Sequence, residues 1–257
     1  MTESIDELRK MCQDKERVTL HPSWWNRFLH KHIVHFTKLL LNLGVSANQA
    51  TAMGLIAAVI GGVFWTFPSP TYWFIGMVFV ALWVPFDYVD GQIARYNKTA
   101  SIKGAFWAGT CHHFIDTYIP ICLSFGLYRA LNSIYPIITG FIGVLGIMLL
   151  ISNQLLPFIA IHGRGLSYDA FAPNKAIRRE EPTSKIIRYG RIVFHFEGLI
   201  VALLVATIID YFISPFTIGF LSVNVRYVYF IIYALALFLN AVRRIYISLR
   251  GEFRLRL

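Results

Sequence analysis

Asp87, Asp90, Gly91, Ala94 and Arg95, followed after eight residues by Gly104, set two carboxylates and a guanidinium among small residues in an otherwise apolar stretch. Carboxylates three positions apart share one helical face, where their hard oxygens suit a divalent cation held against a diphosphate. Gly91 and Ala94 keep that face low, so that a flat nucleotide or a phosphate can approach the backbone, and Arg95 adds a fixed positive charge. The plainer alternative, two acids solvating a helix end, requires neither the small residues nor the arginine. Steps of four from Gly104 then arrive at Ala108, His112 and Asp116, where a metal site of this kind is expected to add carboxylates.

This stretch resembles the signature of the CDP-alcohol phosphotransferase family, Asp-x2-Asp-Gly-x2-Ala-Arg-x8-Gly-x3-Asp-x3-Asp, and every element from Asp87 to Gly104 fits. Upstream, Ala47-Asn48-Gln49-Ala50-Thr51 resembles the Pro/Ala-Asn-x-x-Thr opening of that family's first span, although Asn-x-x-Thr also reads as an ordinary helix cap. The resemblance covers most of residues 45–245. It implies transfer of a substituted phosphate from a CDP-linked donor, CDP-diacylglycerol or a CDP-polar alcohol, to an alcohol or phospho-alcohol acceptor. CMP is released, two Mg2+ or Mn2+ ions take part, and the setting is phospholipid biosynthesis. In that reading Asp87 and Asp90 are metal ligands, while Asn48, Thr51, Asp87, Gly91, Ala94, Arg95 and Gly104 bind the CDP donor. The same resemblance implies a homodimer.

The pattern departs at Ala108, which stands where the signature has its third Asp, and at His112, which stands at the fourth. A methyl group ligates nothing, so Ala108 predicts weakened cation binding and impaired turnover. Neutral imidazole is both a metal ligand and a general base, and Asp116, one turn beyond, is placed to fix its tautomer. His112 is therefore a candidate ligand and, with Asp116, a candidate catalytic group; alternatively His112 and His113 are polar residues at an inner bundle face. Either the chain is a natural degenerate member, or an aspartate has been replaced by Ala108, the explanation that the intact remainder of the signature favours. A register slipped by one turn would discard Gly104.

The elements that must position these residues are membrane helices. Hydrophobic residues make up 56% of the chain and charged ones 15%, outside the usual range for a soluble domain. Apolar stretches near 47–67, 71–89, 104–130, 134–158, 193–213 and 217–241 are each about as long as a bilayer crossing needs. The expected fold is all-α and integral to the membrane, with six transmembrane helices. Basic residues lie before the first stretch, at Arg95 to Lys103, at Lys175 to Arg191 and after the sixth, whereas the alternate connections carry none. That asymmetry predicts a multi-pass protein with both termini and the Asp87–His112 site cytoplasmic. Arg129 and Arg226 weaken the asymmetry without reversing it. No cleaved signal peptide is expected.

Residues 1–20 read as a solvated, partly helical leader. Residues 21–44 set Trp24, Trp25, Phe28, Ile33, Phe36, Leu39 and Leu40 among Arg27, Lys31 and Lys38, the pattern of an amphipathic helix in the membrane interface. Gly44 ends it and Ser46-Ala47-Asn48 caps the first span. The expected organisation is a leader and juxtamembrane helix over 1–44, a six-span domain over 45–245 and a basic tail over 246–257. The basic connection at 175–191 offers Arg178, Arg179, Lys185, Arg188 and Arg191 as acceptor-binding residues, or as plain topological signals. The net charge of +10 comes from basic residues that lie mostly in juxtamembrane positions, which topology and anionic headgroups explain, without a nucleic-acid recognition motif. Cys12, Cys111 and Cys122 form an odd set without metal-type spacing. Two other classes stay open: a catalytically inactive membrane protein that binds a CDP-linked nucleotide or lipid headgroup, and, more weakly, a transporter. A transporter would place its charges near the midplane of paired spans rather than at one end of two adjacent helices.

Overall fold

Two short sequences set the chain direction at the start of the bundle. Gly44 takes φ 73°, and the N–H groups of Gly44 and Val45 return to the carbonyls of Leu41 and Leu40, so the preceding helix closes in a left-handed turn that favours glycine. Two residues later Ser46 accepts a hydrogen bond from the Gln49 N–H while the Gln49 side chain accepts one from the Ser46 N–H. This reciprocal cap starts the next helix at Ala47.

The computed structural model describes residues 3–13, 24–162, 196–213, 216–218 and 221–249. Within them lie α1 (Ile5–Cys12), α2 (Trp24–Asn42), α3 (Ala47–Trp65), α4 (Pro70–Tyr96), α5 (Ile102–Leu131), α6 (Tyr135–His162) and α7 (Phe196–Phe212). An antiparallel hairpin of β1 (Phe216–Ile218) and β2 (Leu221–Val223) then leads into α8 (Val225–Leu249). The chain divides into two compact units, Met1–Ile119 and Pro120–Leu257.

In the first unit α3 and α4 pack against each other through glycine. A Cβ on Gly61 would meet the Gly76 carbonyl oxygen at 2.5 Å, and one on Gly76 would meet the Gly61 oxygen at 2.6 Å, so only bare backbone permits this crossing. Their turn is held by two indoles: Trp65 Nε1 donates to the Trp73 carbonyl and Trp73 Nε1 to the Phe67 carbonyl. On the other face of α4, Ile33 and Leu40 of α2 meet Ala50, Phe86, Val89 and Ile93 in one apolar cluster. Inside this contact the buried Thr37 hydroxyl donates to Gln92 Oε1 at 2.7 Å, which satisfies a motif-helix amide away from water.

α1 is also packed. Its Ser4–Glu7 capping box orders the first turn, and Leu8 and Cys12, both 0% exposed, join Val34 of α2 in a small core. An isolated helix this short is marginal in water, so burial on α2 and α4 is what holds it. The expectation of a solvated leader is therefore corrected for Ile5–Cys12, because the apolar residues of this mixed sequence fall on one helical face.

In the second unit α6 and α8 approach at Gly146, where a Cβ would stand 2.7 Å from the Phe238 nitrogen. Asp210 at the end of α7 accepts the N–H groups of Val225 and Arg226 at the start of α8, and also Arg226 Nε at 2.7 Å. The two side chains are 3% and 4% exposed. Arg226 thus stands among apolar residues as half of a helix cap rather than as a topological signal.

Among the described residues, four helical segments are long and apolar enough to cross a bilayer: Ala47–Trp65, Pro70–Tyr96, Tyr135–Asn153 and Val225–Tyr246. Helix α5 is 30 residues long, but its histidines and Asp116 make it more polar, and Leu199–Phe212 is apolar but shorter. The sixth apolar stretch was expected as a span over 217–241; its first residues instead form the hairpin and α8 begins at Val225. The three cysteines are free and buried.

Candidate active site

The motif is placed by the last turns of α4. Pro85, inside this helix, supplies no N–H to the carbonyl one turn back and so weakens the ladder just before Asp87. The helix stops in a hydrogen-bonded left-handed turn: Thr99 N–H bonds the Ala94 carbonyl, Lys98 N–H bonds that of Arg95, and Lys98 takes φ 54°. Ile102 then opens α5 in the return direction, and the Ser101 hydroxyl accepts the Gly104 N–H at 3.1 Å.

These constraints bring residues from α3, α4 and α5 to one end of the first unit. The Thr51 hydroxyl donates to Asp90 Oδ2 at 2.6 Å, and Thr51 itself is 2% exposed. His112 Nε2 lies 2.5 Å from Asp87 Oδ1, with the ring edge-on to the buried Trp83 at 5.1 Å between centroids. Asn48 is exposed beside Gly104, where an added Cβ would stand 3.7 Å from Asn48 Oδ1. Over Gly91 lies the Arg95 guanidinium, with Nη1 3.3 Å from the position a Cβ would take. Arg95 Nε donates to the Cys12 carbonyl at 2.6 Å. Ala94 follows on the same helix, and Ala108 is half-buried one turn before His112. Asp116, one turn after, contributes to the electrostatic field at His112.

The arrangement thus draws Asn48, Thr51, Asp87, Asp90, Gly91, Arg95, Gly104 and His112 into neighbouring contacts. Arg178, Arg179, Lys185, Arg188 and Arg191 lie outside the described residues. Three features escaped sequence reading: the Thr37–Gln92 bond behind the motif, Trp83 against the imidazole, and the Cys12 carbonyl on Arg95. Of these only the last left a signal, the Ser4-x-x-Glu7 cap that announces α1.

Whether these groups suit a cation follows from their chemistry. Two carboxylates one turn apart, each anchored through one oxygen, would suit Mg2+ or Mn2+, hard cations that prefer oxygen donors. Among the described residues no group of three His, Cys, Asp or Glu side chains is arranged to hold a metal, and Ala108 adds no donor. The residues present therefore fit one ion completed by a diphosphate better than a closed protein cage.

Helices of bilayer length, one of them carrying two carboxylates near its end, describe an α-helical, multi-pass membrane protein. Residues 45–150 match the sequence model of CDP-alcohol phosphatidyltransferase, so this part of the chain is similar to that family. A similar solved structure is the Mycobacterium tuberculosis phosphatidylinositol phosphate synthase with CDP-DAG bound. It matches over 84% of this chain and 92% of its own, with a TM-score of 0.54 and 18% identity, a likeness of fold. Comparison with curated protein sequences gives no match.

Proposed function

We propose that the chain transfers a substituted phosphate from a CDP-linked donor to an alcohol and releases CMP, as a step in phospholipid synthesis. The observation that carries this reading is the Thr51–Asp90 bond: it joins the Asn-x-x-Thr element of α3 to the signature carboxylate of α4 at 2.6 Å, two motifs far apart in sequence meeting at one atom pair. CDP-diacylglycerol, bound in the structurally similar synthase, is the donor to test first, ahead of a CDP-polar alcohol.

Asp87 and Asp90 would hold Mg2+ or Mn2+ with the donor diphosphate. Such an ion supplies charge neutralisation of the diphosphate, so that CMP becomes a better leaving group. The Thr51 hydroxyl donates a hydrogen bond to Asp90 and fixes that carboxylate; Gly91 and Ala94 leave room for the nucleotide, with Asn48 and Gly104 at its edge. Arg95 provides charge for the phosphate. With Nε2–H donated to Asp87, the His112 Nδ1 is the basic nitrogen. It would take the acceptor hydroxyl's proton as the oxygen forms its bond to phosphorus and the bond to the CMP oxygen breaks, with Asp116 steadying the imidazolium. The 2.5 Å contact with Asp87 favours this role over ligation by His112.

In this reading the six helices α3 to α8 all span, α2 lies in the interface, the site and both termini face the cytoplasm, and Arg178, Arg179, Lys185, Arg188 and Arg191 receive the acceptor. A homodimer is part of the proposal. The second reading, a binding protein without turnover, is favoured by Ala108 alone.

The deciding experiment is CMP release from CDP-diacylglycerol, with Mg2+ or Mn2+ and a panel of polar acceptors, by this chain and by Ala108→Asp. Release that rises with Ala108→Asp supports the transferase. Background release by both, with every donor, overturns it and leaves the binding protein.

A further inference from the structure

The arginine of the signature is held from outside the signature. Arg95 is exposed at the end of α4, where a long side chain has many rotamers, yet its Nε donates to the Cys12 carbonyl at 2.6 Å and its guanidinium lies over Gly91. The acceptor is the last residue of α1, at the end of a helix where carbonyls lack intrahelical partners and carry partial negative charge. α1 is itself fixed at several points. Leu8 and Cys12 are buried on Val34, Tyr96 donates to Glu3 Oε1 at 2.9 Å, Lys38 Nζ donates to the Glu3 carbonyl at 2.9 Å, and Arg9 Nη2 donates to the Lys31 carbonyl at 3.2 Å. A helix clamped to both α2 and α4 thus delivers one carbonyl to the arginine that lies over Gly91.

We infer that α1 is a positioning element of the donor site, acting through Arg95: the Cys12 carbonyl selects the guanidinium orientation that meets the phosphate or ribose of a CDP-linked ligand. This rests on the function proposed above. Its physical content is that ordering of a rotamer-rich side chain is completed before the ligand arrives, so docking of α1 raises donor affinity about two- to tenfold. Coupling is reciprocal, so bound donor stabilises the docked α1 by the same factor.

Leu8→Asp in the full chain undocks α1 without altering Arg95, and Ser4→Ala, which removes only the exposed cap, weakens docking more gently. Affinity for CDP-diacylglycerol with Mn2+ is measured by calorimetry for these variants, for Arg95→Ala, and for each combined with Arg95→Ala. A positioning role predicts weaker binding in Leu8→Asp, a smaller change in Ser4→Ala, and no further loss from either once Arg95 is alanine. Losses that simply add on the Arg95→Ala background overturn the inference, as does unchanged affinity in Leu8→Asp. A second readout is alkylation of Cys12, whose thiol pKa is pushed up by burial. Donor should slow this modification, located by mass spectrometry, by the coupling factor; acceleration means that α1 competes with donor for Arg95 and overturns the proposal. If the unaltered chain binds the donor but these tests fail, only the role of α1 is lost. If it binds no CDP-linked compound at all, the proposed function falls and the inference with it.

Discussion

Thr51→Val removes the hydroxyl that donates to Asp90, the shorter of its two contacts, the other being to the Ala47 carbonyl of its own helix at 3.2 Å. The two side chains have nearly the same shape, and Thr51 is 2% exposed, so the substitution leaves packing in place and removes the donor that stands 2.6 Å from Asp90 Oδ2. A hydrogen bond to an ionised carboxylate contributes about 1.5–3 kcal/mol. At about 1.4 kcal/mol per decade, this corresponds to roughly ten- to hundredfold in affinity. Loss of a partner that orients a metal-binding carboxylate independently carries about ten- to hundredfold in metal affinity. The expected result is therefore a Mn2+ midpoint at least about tenfold higher, titrated by calorimetry with CDP-diacylglycerol present, at unchanged helix content by circular dichroism. Thr51→Ser, which keeps the hydroxyl, should lie near the unaltered chain. The reasoning is refuted if Thr51→Val titrates like the unaltered chain, or if serine is as damaging as valine.

Other consequences concern the scaffold. Gly61→Ala places a methyl group against the Gly76 backbone, which cannot turn aside, and should lower the thermal midpoint through a loss of about 1–3 kcal/mol. Two further glycines have open space and opposite backbones. Gly44→Ala should destabilise by about 1–2 kcal/mol because its φ is 73°, whereas Gly109→Ala, inside α5, should be neutral or stabilise by up to about 1 kcal/mol. In differential scanning fluorimetry in detergent, a reversed order of these two variants would contradict the backbone argument. Arg226→Met leaves Asp210 buried with only the backbone N–H groups of α8 and should cost about 3–5 kcal/mol, read as loss of the folded fraction in the same assay.

Features of the fold and site that depend on local spacing were legible in the sequence. Gly44 and Ser46 mark a helix end and a helix start because each acts through neighbours a few residues away, and both act there in the structure. The Asp87–Gly104 spacing likewise placed two carboxylates on one helical face, as a period of 3.6 residues requires. What was not legible depends on which helices meet. The Thr37 bond to Gln92 and the Cys12 bond to Arg95 span 55 and 83 residues, and no periodicity encodes such partners. Arg226 read as an exception to charge asymmetry because Asp210, its buried partner, belongs to the preceding apolar stretch. The start of the last helix was misplaced because Phe216 to Val223 is apolar enough to continue a span, and apolarity alone does not distinguish a hairpin from a helix.

The central claim is that the Asp87–Asp90 end of α4 receives a CDP-linked donor together with a divalent ion. The most direct measurement is calorimetric titration of CDP-diacylglycerol into this chain and into Asp90→Asn, each with Mn2+ and with chelator. Saturable binding by the unaltered chain that requires Mn2+ and is lost in Asp90→Asn is the expected result. Binding of equal strength in chelator, or in Asp90→Asn with the ion present, would contradict it.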